Sequence, residues 1–237
     1  MDAKILIVGQ SHTEALAKAL RRQGDPGIEV VNVNRKDRKT SLEEKIRVGG
    51  HIPAPAGFDL VVSMIGGNFH NTFGLIENPE RFEFIEPGET GFTPTPGRQL
   101  ISYGLLHHFF SESLTKGYLR NIPLLRDYYG ARFLQVSTPP PVEDNDHILN
   151  NPGGYFSDKV QLGVAPPALR LKLYRLHETV LQAFCRREEI ALLPPPPAAL
   201  TAAGFLDRPF WNNDPTHANA AYGALVLDQI RGALRDG

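Results

Sequence analysis

Apolar residues change their spacing several times along the chain, and each change predicts a strand or a helix. Short apolar runs bounded by glycine, proline or polar clusters are typical of buried strands, whereas apolar residues three and four apart are typical of helices. The strand pattern occurs at residues 4–8, 28–33, 58–65, 131–137 and 190–193. The helical pattern occurs at residues 13–22, 99–119, 166–187 and 218–234.

The predicted strands alternate with the predicted helices, and this order is typical of α/β proteins. The strand at 58–65 is almost continuously apolar. Such strands are buried on both faces, as in a parallel sheet covered by helices on each side. We therefore expect one domain spanning residues 1–237, a three-layer α/β/α sandwich around a parallel sheet of about five strands.

Two stretches, residues 71–97 and 142–164, lack a clear period. The first contains four prolines, which are Pro79, Pro87, Pro94 and Pro96. Irregular segments of this length in a compact domain are usually functional loops, lids or inserted hairpins. We therefore predict that both are insertions near the active site.

The composition and charge limit the classes of molecule that we expect the protein to bind. The chain has 237 residues, of which 41% are hydrophobic and 22% charged, and its net charge is −1. Both signs of charge are spread along the chain, so no basic patch predicts binding to nucleic acid or to a membrane surface. The single cysteine, Cys185, excludes an internal disulfide framework, and its place in an apolar helical pattern predicts a buried thiol.

The chain also lacks the apolar segments that direct proteins into or across membranes. No stretch reaches the ~18 apolar residues of a membrane-spanning helix. The apolar run at 5–8 is too short for the core of a signal peptide and is needed as a strand. We therefore expect a cytoplasmic protein.

Polar residues with catalytic chemistry follow the predicted strands. Ser11 lies in the turn after the first strand, and Gly67 and Asn68 follow the third. The carboxyl ends of parallel strands form one edge of a sheet, where α/β proteins bind ligands. A serine on such a turn is a candidate nucleophile or a helix cap, and the amide of Asn68 is a candidate donor to an oxyanion.

Asp214 and His217 lie three residues apart, just before the last predicted helix. This spacing allows the carboxylate to hold one ring nitrogen while the other faces a hydroxyl group. A serine becomes a nucleophile when a base accepts its proton. The sequence therefore offers a nucleophile near one end, and a base with its carboxylate near the other.

The order of these motifs resembles the SGNH hydrolase superfamily, also called GDSL-like esterases. The resemblance rests on Gly-x-Ser after the first strand, Gly-Gly-Asn after the third and Asp-x-x-His before the last helix. It implies a flavodoxin-like SGNH hydrolase fold and no cofactor or metal. Two positions depart from the family pattern, because Gln10 and Phe69 stand where the family usually has aspartate.

The resemblance also implies a role for each motif residue. Ser11 would be the nucleophile, His217 the general base and Asp214 the residue that orients it. The amide of Ser11 and the side chain of Asn68 would form the oxyanion hole with a glycine after the second strand. Gly49 and Gly50 are the candidates for this glycine, and we select Gly50. Three further residues flank the motifs and are candidates for substrate binding: His12, Gly67 and His70.

We therefore predict a serine esterase that hydrolyses a short-chain ester, such as an acetyl ester of a small molecule or carbohydrate. The alternatives are an acyltransferase with the same triad and a glycan-binding domain without activity. A metallophosphoesterase is disfavoured, because two-metal sites need several carboxylates and histidines and the chain has Ser11-His12 after its first strand. The sequence leaves the oligomeric state open.

Overall fold

The computed structural model describes residues 3–33, 42–44 and 52–235. These residues contain the following strands: β1 (Ile5–Gly9), β2 (Ile28–Asn32), β3 (Leu60–Met64), β4 (Phe82–Glu83), β5 (Gln99–Leu100), β6 (Arg132–Val136) and β7 (Ala191–Leu193). Five of them form one parallel sheet in the order β2-β1-β3-β6-β7. The parallel pair β4 and β5 forms a separate small sheet. The predicted five-stranded parallel sheet is therefore confirmed.

The described residues contain the following α-helices: α1 (Thr13–Gln23), α2 (Phe69–Gly74), α3 (Tyr103–Leu114), α4 (Asn121–Tyr129), α5 (Asn145–Asn150), α6 (Gly153–Phe156), α7 (Pro167–Arg187) and α8 (Ala220–Arg235). A π-helical turn, Thr115–Leu119, continues α3. Within these ranges, no helix combines the length and the apolar character that a membrane span requires.

The helices cover both faces of the sheet, as the sequence predicted. Alternate residues of β1 enter different layers: Leu6 and Val8 pack with α7, while Ile5 and Ile7 pack with α1 and α8. The helices α1 and α8 approach so closely that a Cβ atom on Gly223 would lie 2.3 Å from the carbonyl oxygen of Ala15. This contact holds the C-terminal helix beside the turn that follows β1.

The helix predicted at residues 99–119 begins later than its apolar pattern suggests. Gln99 and Leu100 pair with β4, and α3 begins only after Ser102. The Ser102 side chain accepts a hydrogen bond from the backbone amide of Leu105 and caps the helix. Pairing with a distant strand overrides the local helical pattern at 99–100. The helix α4 was not predicted.

The two irregular segments contain short elements of their own. Residues 71–97 include most of α2 and the strand β4, and residues 142–164 include α5 and α6. Cys185 on α7 is free and buried, as expected from its apolar pattern.

Candidate active site

Ser11 lies in the tight turn between β1 and α1. The backbone amides of Thr13 and Glu14 donate to the carbonyls of Gln10 and Ser11, both at 3.1 Å, so the turn leads directly into the helix. Gly9 allows this path, because a Cβ atom there would lie 2.6 Å from Cβ of Met64 on β3. The serine side chain is exposed at the carboxyl edge of the sheet.

Asp214 and His217 form a hydrogen-bonded pair in the segment before α8. Nδ1 of His217 donates to Oδ1 of Asp214 at 2.8 Å. The same carboxylate accepts the backbone amides of Thr216 and His217 and the side-chain amide of Asn212. Because Nδ1 is the donor, Nε2 carries the lone pair of the neutral ring, which is the form that a general base requires.

The environment of Asp214 keeps its carboxylate charged. Burial opposes ionisation, but the hydrogen bond and charge of His217 and the backbone amides of Thr216 and His217 outweigh it. The pKa of Asp214 therefore lies well below its ordinary value. The negative charge of Asp214 can therefore stabilise the imidazole of His217 when that ring is protonated.

We expect the variant Asp214→Asn to be less stable than the parent at pH 7, with a smaller difference at pH 3. A carboxyl group whose pKa is lowered by folding adds stability above its unfolded pKa of about 3.9, and this stability is lost as the pH falls toward the folded value. Urea unfolding at both pH values measures the difference. The exposed Asp127, whose carboxylate pairs with Arg126, provides the control Asp127→Asn. An Asp214→Asn deficit of equal size at both pH values would contradict the expectation.

Ser11, Asp214 and His217 line one cavity of about 280 Å³. The other described lining residues are Glu14, Ala15, Lys18, Asn32, Asn212 and Ala218. Nε2 of His217 is buried and makes no hydrogen bond within the described part of the chain, so it is not bonded to Ser11. Contacts between a nucleophile and its base are often long without substrate and shorten when substrate binds.

Asn68 lies at the end of the neighbouring strand, in the turn between β3 and α2. Gly67 has a φ of +74°, and a Cβ atom there would lie 2.6 Å from the Tyr118 ring, so this position requires glycine. Oδ1 of Asn68 accepts a hydrogen bond from Nδ2 of Asn71 at 2.7 Å. Nδ2 of Asn68 donates to no residue that the structure describes. Asn68 is not among the described residues lining the 280 Å³ cavity.

His12 and His70 are both buried, and neither is among the described residues that line the cavity. The ring of His12 packs against His217 with 4.9 Å between centroids. Burial, and then the proximity of His217, lower the pKa of His12 to about 3, so its ring is neutral. Contact between these histidines and substrate stays a prediction.

His177 on α7 fixes the turn before Asn68, and no pattern in the sequence indicated this role. Its Nε2 donates to the carbonyl of Gly66 at 3.0 Å, since a carbonyl can only accept. Burial lowers the pKa of His177 to about 4, although the Gly66 hydrogen bond opposes the shift. The neutral ring then accepts at Nδ1 from Nδ1 of His70, 3.2 Å away. A helical position alone could not reveal this contact.

The remaining predictions concern the role of Gly50, metal binding and the two irregular segments. Gly50, the residue selected to complete the oxyanion hole, lies outside the described residues, and its role stays a prediction. Within the described ranges, no group of three or more His, Cys, Asp or Glu side chains is arranged to hold a metal ion. Neither irregular segment contributes to the described cavity lining, but His147 from 142–164 contacts the Asp214 carbonyl through Nε2 at 3.3 Å.

Comparisons with known proteins identify the fold. No protein-family model and no curated sequence matches the chain. Among solved structures, a proposed acylhydrolase from Bacteroides fragilis aligns over 98% of this chain and 86% of its own, with 10% identity and a TM-score of 0.52. A GDSL-like lipase from Bacteroides thetaiotaomicron aligns over 98% and 88%, with 12% identity and a TM-score of 0.50. The chain therefore has the fold of these two solved structures, which confirms the fold that the motifs implied.

Proposed function

We propose that the protein is a serine esterase that forms an acyl-enzyme intermediate on Ser11. The main support is the convergence of Ser11 with the hydrogen-bonded pair Asp214 and His217 at one cavity. An exposed serine, an imidazole and a carboxylate that orients it are the groups that nucleophilic acyl transfer requires. The similarity in fold to a GDSL-like lipase is consistent with this chemistry.

The proposed reaction begins when Oγ of Ser11 attacks the ester carbonyl and Nε2 of His217 accepts its proton. Asp214 stabilises the imidazolium through the 2.8 Å hydrogen bond to Nδ1. The backbone amide of Ser11, Nδ2 of Asn68 and the amide of Gly50 would stabilise the oxyanion. His217 then returns the proton to the leaving alcohol and activates a water molecule, which releases the acid and the free serine.

The size and polarity of the cavity favour a short acyl group on a polar alcohol. A volume of about 280 Å³ is at the small end of ligand sites. Glu14, Lys18 and Asn32 supply charged and amide groups to its wall, and a long alkyl chain offers such polar groups no hydrogen-bonding partner. We therefore propose acetyl or similarly short esters, with a small polar molecule or a carbohydrate as the alcohol.

A covalent probe tests the proposed nucleophile directly. The protein would be treated with a p-nitrophenyl alkylphosphonate, digested, and the labelled peptide identified by mass spectrometry. We expect one label on Ser11, together with loss of activity toward p-nitrophenyl acetate. Turnover should fall as the acyl chain is lengthened from acetate to octanoate. Labelling at another residue, or hydrolysis that survives complete labelling of Ser11, would refute the proposal.

A further inference from the structure

The orientation of the Asn68 side-chain amide decides whether this residue can stabilise an oxyanion. The amide has an accepting oxygen and a donating NH₂ group at opposite sides. Its oxygen is occupied by the NH₂ group of Asn71 at 2.7 Å. Its own NH₂ group donates to no described residue and is left for a ligand. In the reverse orientation, the NH₂ group of Asn68 would point toward Asn71 and could not donate to a ligand.

We propose that Asn71 is a positioning residue that fixes the Asn68 amide with its NH₂ group directed at the reacting ester oxygen. This inference rests on the esterase activity proposed above. Asn71 is almost completely buried, with 1% of its surface exposed, and a buried NH₂ group needs an acceptor. Among the described residues, Oδ1 of Asn68 is the side-chain acceptor for the NH₂ group of Asn71. The pair lies three residues apart at the start of α2, where both side chains share one face.

Other contacts hold the backbone of this turn without Asn71. His177 donates to the carbonyl of Gly66, and the hydroxyl of Thr72 donates to the carbonyl of Asn68 at 3.1 Å. The ring of Phe69 packs among Phe73, Phe109 and Phe110 and offers no hydrogen bond to the amide. Asn71 therefore acts on the rotation of the Asn68 amide, whereas its neighbours act on the position of the main chain.

The variants Asn71→Asp and Asn71→Leu separate orientation from simple loss of a hydrogen bond. A carboxylate can only accept, so the one introduced by Asn71→Asp would attract the Asn68 NH₂ group and remove it from the oxyanion hole. We expect kcat for p-nitrophenyl acetate to fall about 100-fold in Asn71→Asp, the effect of losing one oxyanion donor. Leucine leaves the amide free to rotate, and we expect a loss of only about fivefold to tenfold. KM should change less than about twofold in both variants, because ground-state binding is retained.

Thr72→Val is the matched control, because it removes a hydrogen bond to the same turn without touching the Asn68 amide. We expect its kcat to stay within about twofold of the parent, because the hydrogen bond from His177 to Gly66 still holds the turn. Inhibition by phenylboronic acid gives an independent readout, since its serine adduct places an oxygen in the oxyanion hole. The inhibition constant should rise in Asn71→Asp by about the same factor as kcat falls.

A double-mutant cycle keeps the proposal testable if Asn71→Asp also weakens folding. In an Asn68→Ala background, Asn71→Asp should cause no further loss of kcat, because the group that it misdirects is absent. Equal losses in both backgrounds, or a kcat in Asn71→Asp above that of Asn71→Leu, would overturn the inference.

Ser11→Ala distinguishes the two proposals. If Ser11→Ala retains activity, the esterase proposal fails; if it is inactive while Asn71→Asp is fully active, only the role of Asn71 fails.

Discussion

Ser11→Ala is expected to lower kcat for p-nitrophenyl acetate by about five orders of magnitude, to the level of residual catalysis without a nucleophile. Alanine removes the hydroxyl that would form the acyl-enzyme, while the cavity and the Asp214–His217 pair remain. Steady-state rates of the purified variant, measured at high enzyme concentration, give the result. Because the Ser11 side chain is exposed and makes no hydrogen bond to a described residue, the thermal unfolding midpoint should change little.

Ser157→Ala provides the matched control for this prediction. Ser157 is also exposed, and its hydroxyl donates only to the nearby carbonyl of Gly154 at 3.2 Å. We expect its activity to match the parent within about twofold. A Ser11→Ala variant that retains more than a few per cent of parent activity, with its purity verified, would show that another group attacks the ester.

His217→Ala is expected to cause the second large loss, of about four to five orders of magnitude in kcat. Without the imidazole, no described group on the cavity wall is both hydrogen-bonded to Asp214 and able to accept the serine proton at neutral pH. The ring of His217 packs on His12, so its removal leaves space beside the Asp214 carboxylate. Added imidazole should therefore restore part of the activity, with a rate that increases with the concentration of its neutral form.

The control for this variant is His108→Ala, which removes an exposed histidine from α3, away from the cavity lining. We expect its rate to be unchanged and insensitive to imidazole. The assignment of His217 as the base would be wrong if His217→Ala kept the parent rate, or if its residual rate retained the parent's dependence on pH.

Much of the architecture was predictable, because the spacing of apolar residues along the chain indicates which positions are buried. All five strands of the main sheet and the long helices α1, α7 and α8 correspond to predicted segments. The helix α4 was missed because its apolar pattern is short and contains Pro123, which the first turn of a helix tolerates. Strand β5 was missed because its two residues depend on pairing with Phe82 and Glu83, which no local pattern reports.

The candidate site was predictable to different degrees. The pairing of Asp214 with His217 is local, and their spacing anticipated the 2.8 Å hydrogen bond. The contact of Asn71 with Asn68 is equally local, and their three-residue spacing could have indicated it. The contribution of His177 required knowledge of packing, because the residue lies on α7, far along the chain from the Gly66 carbonyl that it holds.

Local patterns in the chain were enough to specify the α/β layers and the strand ends that carry Ser11 and Asn68. They also specified the pair Asp214 and His217. The reason is that periodic burial and short-range hydrogen bonds depend on neighbouring residues. The packed domain was needed to bring Ser11 and His217 to one cavity. It was also needed to bury His12 and His70 behind that edge of the sheet. These outcomes depend on the order of the strands and on the packing of α1 against α8, since contacts between distant segments form only when whole elements are brought together.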